Sequence, residues 1–148
     1  MIRGLIFDFN RTIYNPEEDR LIEGSEKLLR VLKRLGFKLC LLSKRTRENR
    51  REQIFQLGLD RYFDKILIIK GDKKEKHFQE CLSSMCLSSP EVVVIGDRVE
   101  SEILIANRLG MLTIWFQRGK FANVLPKNKF QKPDYVITNL EEIIGIIS

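Results

Sequence analysis

Short apolar runs alternate with helical periodicities along the whole chain. Residues 2–9, 37–42, 65–69, 92–95, 112–116 and 135–137 are mostly unbroken apolar runs, as strands buried on both faces require. Between them, apolar residues recur three and four apart in 26–35, 47–57, 75–85 and 100–109, which predicts helices, and 141–147 predicts a last one. Gly36, Gly58 and Gly110 stand just past the first, second and fourth of these, where a left-handed residue stops a helix at little cost. Repeated strand-then-helix implies a parallel sheet covered on both faces. The one long irregular stretch, 117–134, carries Gly119, Pro126, Pro133 and five basic residues, and is expected to be a mobile surface loop.

Length and charge narrow this picture. The 148 residues suit one domain, expected to span 1–148 with a single core. No apolar run approaches the roughly 20 residues of a membrane span, so no membrane partner is expected. Met1 leads almost at once into strand pattern without the features of a secretory signal, which makes the cytoplasm the expected location. Cys40, Cys81 and Cys86 lack C-x-x-C spacing and read as buried or idle thiols rather than a zinc or redox centre. The net charge of +6 gathers in 44–51 and in Arg118, Lys120, Lys127, Lys129 and Lys132, pointing to an anionic substrate or partner.

In an open parallel sheet, ligands bind outside the carboxyl ends of the strands. The polar residues that end the apolar runs are Asp8, Ser43, the lysines among 70–76 and Asp97. Two carboxylates attract a divalent cation, cation and lysine neutralise phosphate charge, and a hydroxyl with backbone N–H groups holds phosphate oxygens. A bacterial receiver domain combines similar groups, but it needs an acid after the third strand, where this chain has lysines. His77, beside Phe78, reads as a surface or packing histidine without a role.

These residues resemble the motifs of the haloacid dehalogenase superfamily, over essentially the whole chain. Its opening strand followed by Asp-x-Asp-x-Thr stands here as Leu5-Ile6-Phe7-Asp8-Phe9-Asn10-Arg11-Thr12, its second motif as Leu41-Leu42-Ser43, and its fourth as Val93-Val94-Ile95-Gly96-Asp97 with Glu102 five residues on. The third motif is a lysine, for which Lys73, just before a helix, ranks ahead of Lys74. The resemblance implies a three-layer, Rossmann-like α/β fold and a Mg²⁺-dependent phosphatase. In it Asp8 attacks phosphorus, Asp8, the main-chain carbonyl of Asn10 and Asp97 ligate Mg²⁺, Glu102 holds the metal through water, and Ser43 and Lys73 bind phosphate.

Two departures qualify this. The family's acid/base aspartate is here Asn10, which should spare metal binding while removing acid/base help worth roughly 10²–10⁴-fold; Asn10→Asp should return it. Arg11 replaces a small residue, and it either clamps phosphate, obstructs the entrance or faces solvent. No stretch is long enough for the cap domain of larger members, so a phosphorylated macromolecular substrate, or closure by homo-oligomerisation, is expected. The basic run fits nucleic acid, yet also a solvated helix face with Glu48 and Glu52 pairing to arginines, the reading preferred here. The alternatives to a slow phosphatase are thus a non-hydrolytic phosphate-binding or regulatory module, and a nucleic-acid-binding protein.

Overall fold

The computed structural model describes residues 1–45 and 49–148. The chain opens with β1 (Gly4–Phe7), turns through a small antiparallel hairpin of β2 (Tyr14–Asn15) and β3 (Arg20–Leu21), and enters α1 (Ser25–Arg34). There follow β4 (Lys38–Lys44), α2 (Arg50–Gln56), β5 (Lys65–Ile69), α3 (Glu75–Met85) and β6 (Val92–Gly96). A π-helical turn, Val99–Ile103, leads into α4 (Leu104–Arg108), and the chain continues with β7 (Leu112–Phe116), β8 (Tyr135–Ile137) and α5 (Glu142–Ile147). Six strands form one parallel sheet in the order β5-β4-β1-β6-β7-β8.

Strand periodicity explains the three layers. Along β1, β4 and β6, Leu5, Phe7, Leu39, Leu41, Val93 and Ile95 face a core that also takes in Leu28, Leu29 and Leu32 of α1, Ile54 of α2 and Ile143 of α5. The alternate residues Ile6, Cys40, Leu42, Val92 and Val94 face Phe78, Cys81 and Met85 of α3 and Ala106 of α4. Because side chains alternate across a strand, both faces must be covered, and unbroken apolar runs are the outcome. Each fully buried Leu, Ile or Phe contributes about 1.5–3 kcal/mol relative to exposure.

Helix α1 carries Glu26 in its first turn and Lys33 and Arg34 in its last, matching the helix dipole. Gly36, Gly58 and Gly110 have φ of 89°, 73° and 81°, the left-handed conformation expected of them.

The boundaries shift where tertiary contacts outrank periodicity. The first strand stops at Phe7, because the Phe9 carbonyl accepts from the N–H groups of Thr12, Ile13 and Tyr14 and bends the chain; Phe9 is buried in the turn itself. The expected helix 47–57 begins at Arg50, with Asn49 as its N-cap, and Thr46, Arg47 and Glu48 lie outside the described residues. The expected helix from 100 becomes α-helical only at Leu104, after a wide turn that buries Val99 and Ile103 against Trp115. The 14–21 hairpin escaped the sequence reading, its strands being only two residues long. No cap insert interrupts the described residues: between Thr12 and α1 lies that hairpin, and between β4 and α3 only α2, a short 3₁₀ turn and β5.

Candidate active site

The sheet order reverses at β1: the chain runs outward through β4 to β5, then returns to the other side of β1 as β6. Such a switch point opens a crevice at the carboxyl edge of the strands. Asp8 follows β1 directly, Asp97 follows β6, and Ser43 lies near the end of β4. A cavity of about 220 Å³ opens there, lined by Asp8, Asn10, Ser43, Lys73, Asp97 and Glu102, with Arg11, Lys44, Asp72, Arg98, Ser101 and Phe121 at its sides. The six positions singled out in the sequence therefore meet in one place.

Their electrostatics are those of a crowded acidic site. Asp8, Lys73, Asp97 and Glu102 are all buried. Lys73 Nζ donates to Asp8 Oδ1 at 2.5 Å and to Glu102 Oε1 at 2.7 Å, settling which lysine of 70–76 reaches the site. Burial alone would depress the Lys73 ammonium, but the two carboxylates outweigh it and hold its pKa above the usual lysine value. Among the described residues Asp97 pairs with no cation, and Lys73 lowers its pKa only weakly from a distance. Burial, then the charges of Asp8 and Glu102, push its pKa up to about 9. Burial likewise raises Glu102 against the lowering effect of Lys73.

Fully ionised, three carboxylates facing one ammonium would leave an excess of negative charge in a desolvated space, which is why Asp97 and Glu102 hold their protons above the usual range. One oxygen from each of Asp8, Asp97 and Glu102 lies within 4.8 Å of the others, and Asp97 Oδ2 and Glu102 Oε2 are buried without a hydrogen-bond partner. Buried charged oxygens left unpaired are costly. A small hard cation with oxygen ligands removes both the excess charge and the orphaned acceptors, so the donor set fits Mg²⁺.

The local chain explains how these groups are held. Trp115 Nε1 of β7 donates to the Asp97 carbonyl at 2.9 Å, fixing the turn after β6. At Gly96 a Cβ would stand 3.0 Å from both Cβ and Oε2 of Glu102, so glycine there is what lets the Glu102 side chain lie across the strand end. Ser43 does not cap α2, whose N-cap is Asn49; among the described residues its Oγ makes one long contact, to the Lys44 carbonyl at 3.4 Å. The Lys74 N–H donates to His77 Nδ1 at 2.9 Å. His77 thus caps α3, a structural role the sequence reading had not assigned.

Residues 5–116 match the haloacid dehalogenase-like hydrolases. The chain belongs to this family. Among curated relatives, it is 32% identical to the glyceraldehyde 3-phosphate phosphatase of Pyrococcus furiosus over 132 residues, covering 86% of this chain and 55% of that protein. It is 24% identical to the phosphoserine phosphatase of Thermus thermophilus, covering 83% and 49%. The chain thus spans about half the length of the curated relatives it matches. Among solved structures, a putative haloacid dehalogenase-type hydrolase of Bacillus subtilis, crystallised with magnesium, superposes with a TM-score of 0.82 at 16% identity, over 99% of each chain. That likeness shows the fold.

Within this family member, three features of the site were not legible beforehand. Arg50, one of the basic run, is 2% exposed, with its guanidinium 4.7 Å over the Phe9 ring. Lys44 of the same run pairs with Asp72 at 2.9 Å, and among the described residues Glu52 accepts from Gln56 and pairs with no arginine. The run is therefore not the continuous solvated face that its sequence suggested, and Arg47 and Glu48 lie outside the described residues. At the cavity mouth the Arg98 and Arg11 guanidinia stand 4.6 and 5.6 Å from the Phe121 ring. Arg11 adopts a left-handed backbone, φ 62°, and pairs with Glu17 at 3.0 Å, so its guanidinium is held between Glu17 and Phe121 at the edge of the cavity it helps to line. Among the described residues no helix is long and apolar enough to cross a membrane.

Proposed function

We propose that this chain is a Mg²⁺-dependent phosphomonoester hydrolase working through an aspartyl-phosphate on Asp8, with 1–148 acting as one unit in the cytoplasm. The observation that carries the reading is the buried set Asp8, Lys73, Asp97 and Glu102 around one cavity, with two carboxylate oxygens unpaired. Asp8, Asp97 and Glu102 would hold the metal, which when bound offsets phosphate charge and acts as a Lewis acid. In the first step an Asp8 carboxylate oxygen bonds to phosphorus as the phosphorus–oxygen bond to the leaving group breaks, its electron pair departing on that oxygen. In the second a water oxygen bonds to phosphorus, the Asp8–phosphorus bond breaks, and the carboxylate is regenerated beside inorganic phosphate. Lys73 offsets the charge of Asp8 and of the phosphoryl oxygens throughout, and the Ser43 hydroxyl is available to donate to one of them.

Asn10 can neither protonate a leaving oxygen nor take a proton from water, so turnover should be slow and favour phenolate leaving groups. The curated relatives are named as phosphatases of small phosphorylated metabolites, which supports a phosphorylated substrate of that kind. Asn10 alone favours a second reading, a phosphate-binding module without turnover. The test is a hydrolysis screen of aryl and alkyl phosphates with and without Mg²⁺, with acid quench and mass spectrometry of the Asp8 peptide. A phosphorylated Asp8 that Asp8→Asn abolishes is the expected result. Its absence with every ester, alongside Mg²⁺-dependent phosphate binding, would favour the module.

A further inference from the structure

Arg50, the first residue of α2, is almost fully buried and is not among the residues lining the cavity. Its guanidinium packs on the Phe9 ring at 4.7 Å, and its Nη1 donates to Gln53 Oε1 at 3.1 Å and, in a longer bond, to Asn10 Oδ1 at 3.4 Å. A guanidinium carries five N–H donors and no acceptor. An asparagine amide beside it has only one favourable orientation, oxygen toward the arginine, and Asn10 must then turn its NH₂ group the other way. Asn10 also lines the cavity with Asp8, Ser43 and Lys73.

We infer that Arg50 is a positioning residue for Asn10, fixing its amide so that Nδ2 serves as a permanent hydrogen-bond donor to a phosphate oxygen held in this cavity. The inference rests on the phosphate-site reading above and deepens it. The position that carries an acid/base carboxylate in the family pattern becomes a binding position here. A packed guanidinium costs no ordering when phosphate arrives, because the Phe9 ring and Gln53 hold it already, and the amide it orients is neutral and cannot repel a dianion. A carboxylate in the same place would also accept from Arg50, but would face phosphate with an oxygen. Asn10→Asp alone should therefore weaken phosphate binding rather than simply restore a latent phosphatase.

The test is a double-mutant cycle on the full chain with Mg²⁺ present, reading the Kd of inorganic phosphate by calorimetry. Asn10→Ala should weaken binding about 10-fold or more, as loss of a hydrogen bond to a charged group does. Arg50→Met should weaken it less, by freeing the amide to rotate, and Arg50→Lys, which keeps a donor-only cation, should recover much of the loss. In the Arg50→Met background, Asn10→Ala should then cost only a few-fold. A purely structural arginine would give no such coupling and no selective rescue by lysine. Should Arg50→Met fail to fold, the wild-type chain still reports, because the Asn10 Nδ2 protons should shift in ¹H–¹⁵N spectra on adding inorganic phosphate. Phosphate binding that Asn10→Ala leaves unchanged, or Asn10 amide signals that ignore bound phosphate, would overturn the inference alone. No phosphate binding by wild type would overturn it together with the hydrolase reading.

Discussion

Replacing Lys73 with methionine removes the only ammonium among the described residues that pairs with the buried acids of the site, while keeping much of its volume. Its Nζ bridges Asp8 and Glu102 at 2.5 and 2.7 Å, and the three side chains are only 4%, 10% and 7% exposed, so solvent screening is slight. Breaking a buried pair by removing one partner costs about 3–5 kcal/mol. For a chain of this size that lowers Tm by roughly 6–20 °C, at about 2–4 °C per kcal/mol. The loss should depend on pH. The Lys73 pKa is raised in the folded state, so its contribution is complete below the unfolded lysine value and is lost only as pH rises through the folded one. Across pH 6–9 wild type keeps the full contribution. In the variant the carboxylates must take up protons to stay buried, and the deficit grows from pH 6 to pH 9.

A divalent cation should reverse this. Without Lys73 the three acids present one more uncompensated negative charge, so Mg²⁺ should raise the melting temperature of Lys73→Met more than that of wild type, following RT ln(1 + [L]/Kd). The assay is thermal and urea unfolding of both proteins in chelator at pH 6 and pH 9, then with millimolar Mg²⁺. A loss under about 1 kcal/mol in chelator would refute the buried-pair argument. A Mg²⁺ shift no larger in the variant than in wild type would refute the charge-balance argument.

Asp97→Ala should abolish calorimetric Mg²⁺ binding, and in wild type, where the Asp97 pKa lies at about 9, binding should release a proton and tighten as pH rises from 6 toward 9; equal binding by both proteins refutes this. Gly96→Ala forces a Cβ to 3.0 Å from Glu102 Cβ, and should cost about 1–3 kcal/mol by overpacking while displacing Glu102, read as a lower Tm in chelator and a smaller Mg²⁺ shift. Cys40 and Cys81, buried with sulfurs 2.8 Å apart, should resist a thiol reagent in the folded chain while exposed Cys86 reacts, giving a count of one thiol that rises to three on unfolding; a count that stays at one would mean that the buried pair is oxidised.

The layers were legible in the sequence because burial on both faces writes an unbroken apolar run, as in Val92 to Ile95, and the strand ends then pointed to Asp8, Ser43 and Asp97 without further information. The lysine was ranked as Lys73 ahead of Lys74 only by its place just before a helix, since Lys70, Lys73, Lys74 and Lys76 differ in where the chain turns after β5, which composition does not record. Arg50 was misread because a charged residue in a basic run looks solvated. What buries it is the Phe9 ring, and Phe9 is itself in a turn where periodicity assigned a strand. Two local errors therefore concealed one contact.

That contact also bears on Asn10. Taken alone, asparagine at an acid/base position reads as loss, because an amide has no proton to exchange at neutral pH. With a donor-only guanidinium behind it, the amide has a definite orientation, and a carboxylate at the same place would be held as an ion-paired anion, a poor general acid. The arginine and the asparagine are thus mutually consistent, whereas arginine with aspartate would weaken the leaving-group protonation that the aspartate exists to perform. Restoring the carboxylate while keeping Arg50 tests only half of the substitution, and the informative comparison changes both residues together.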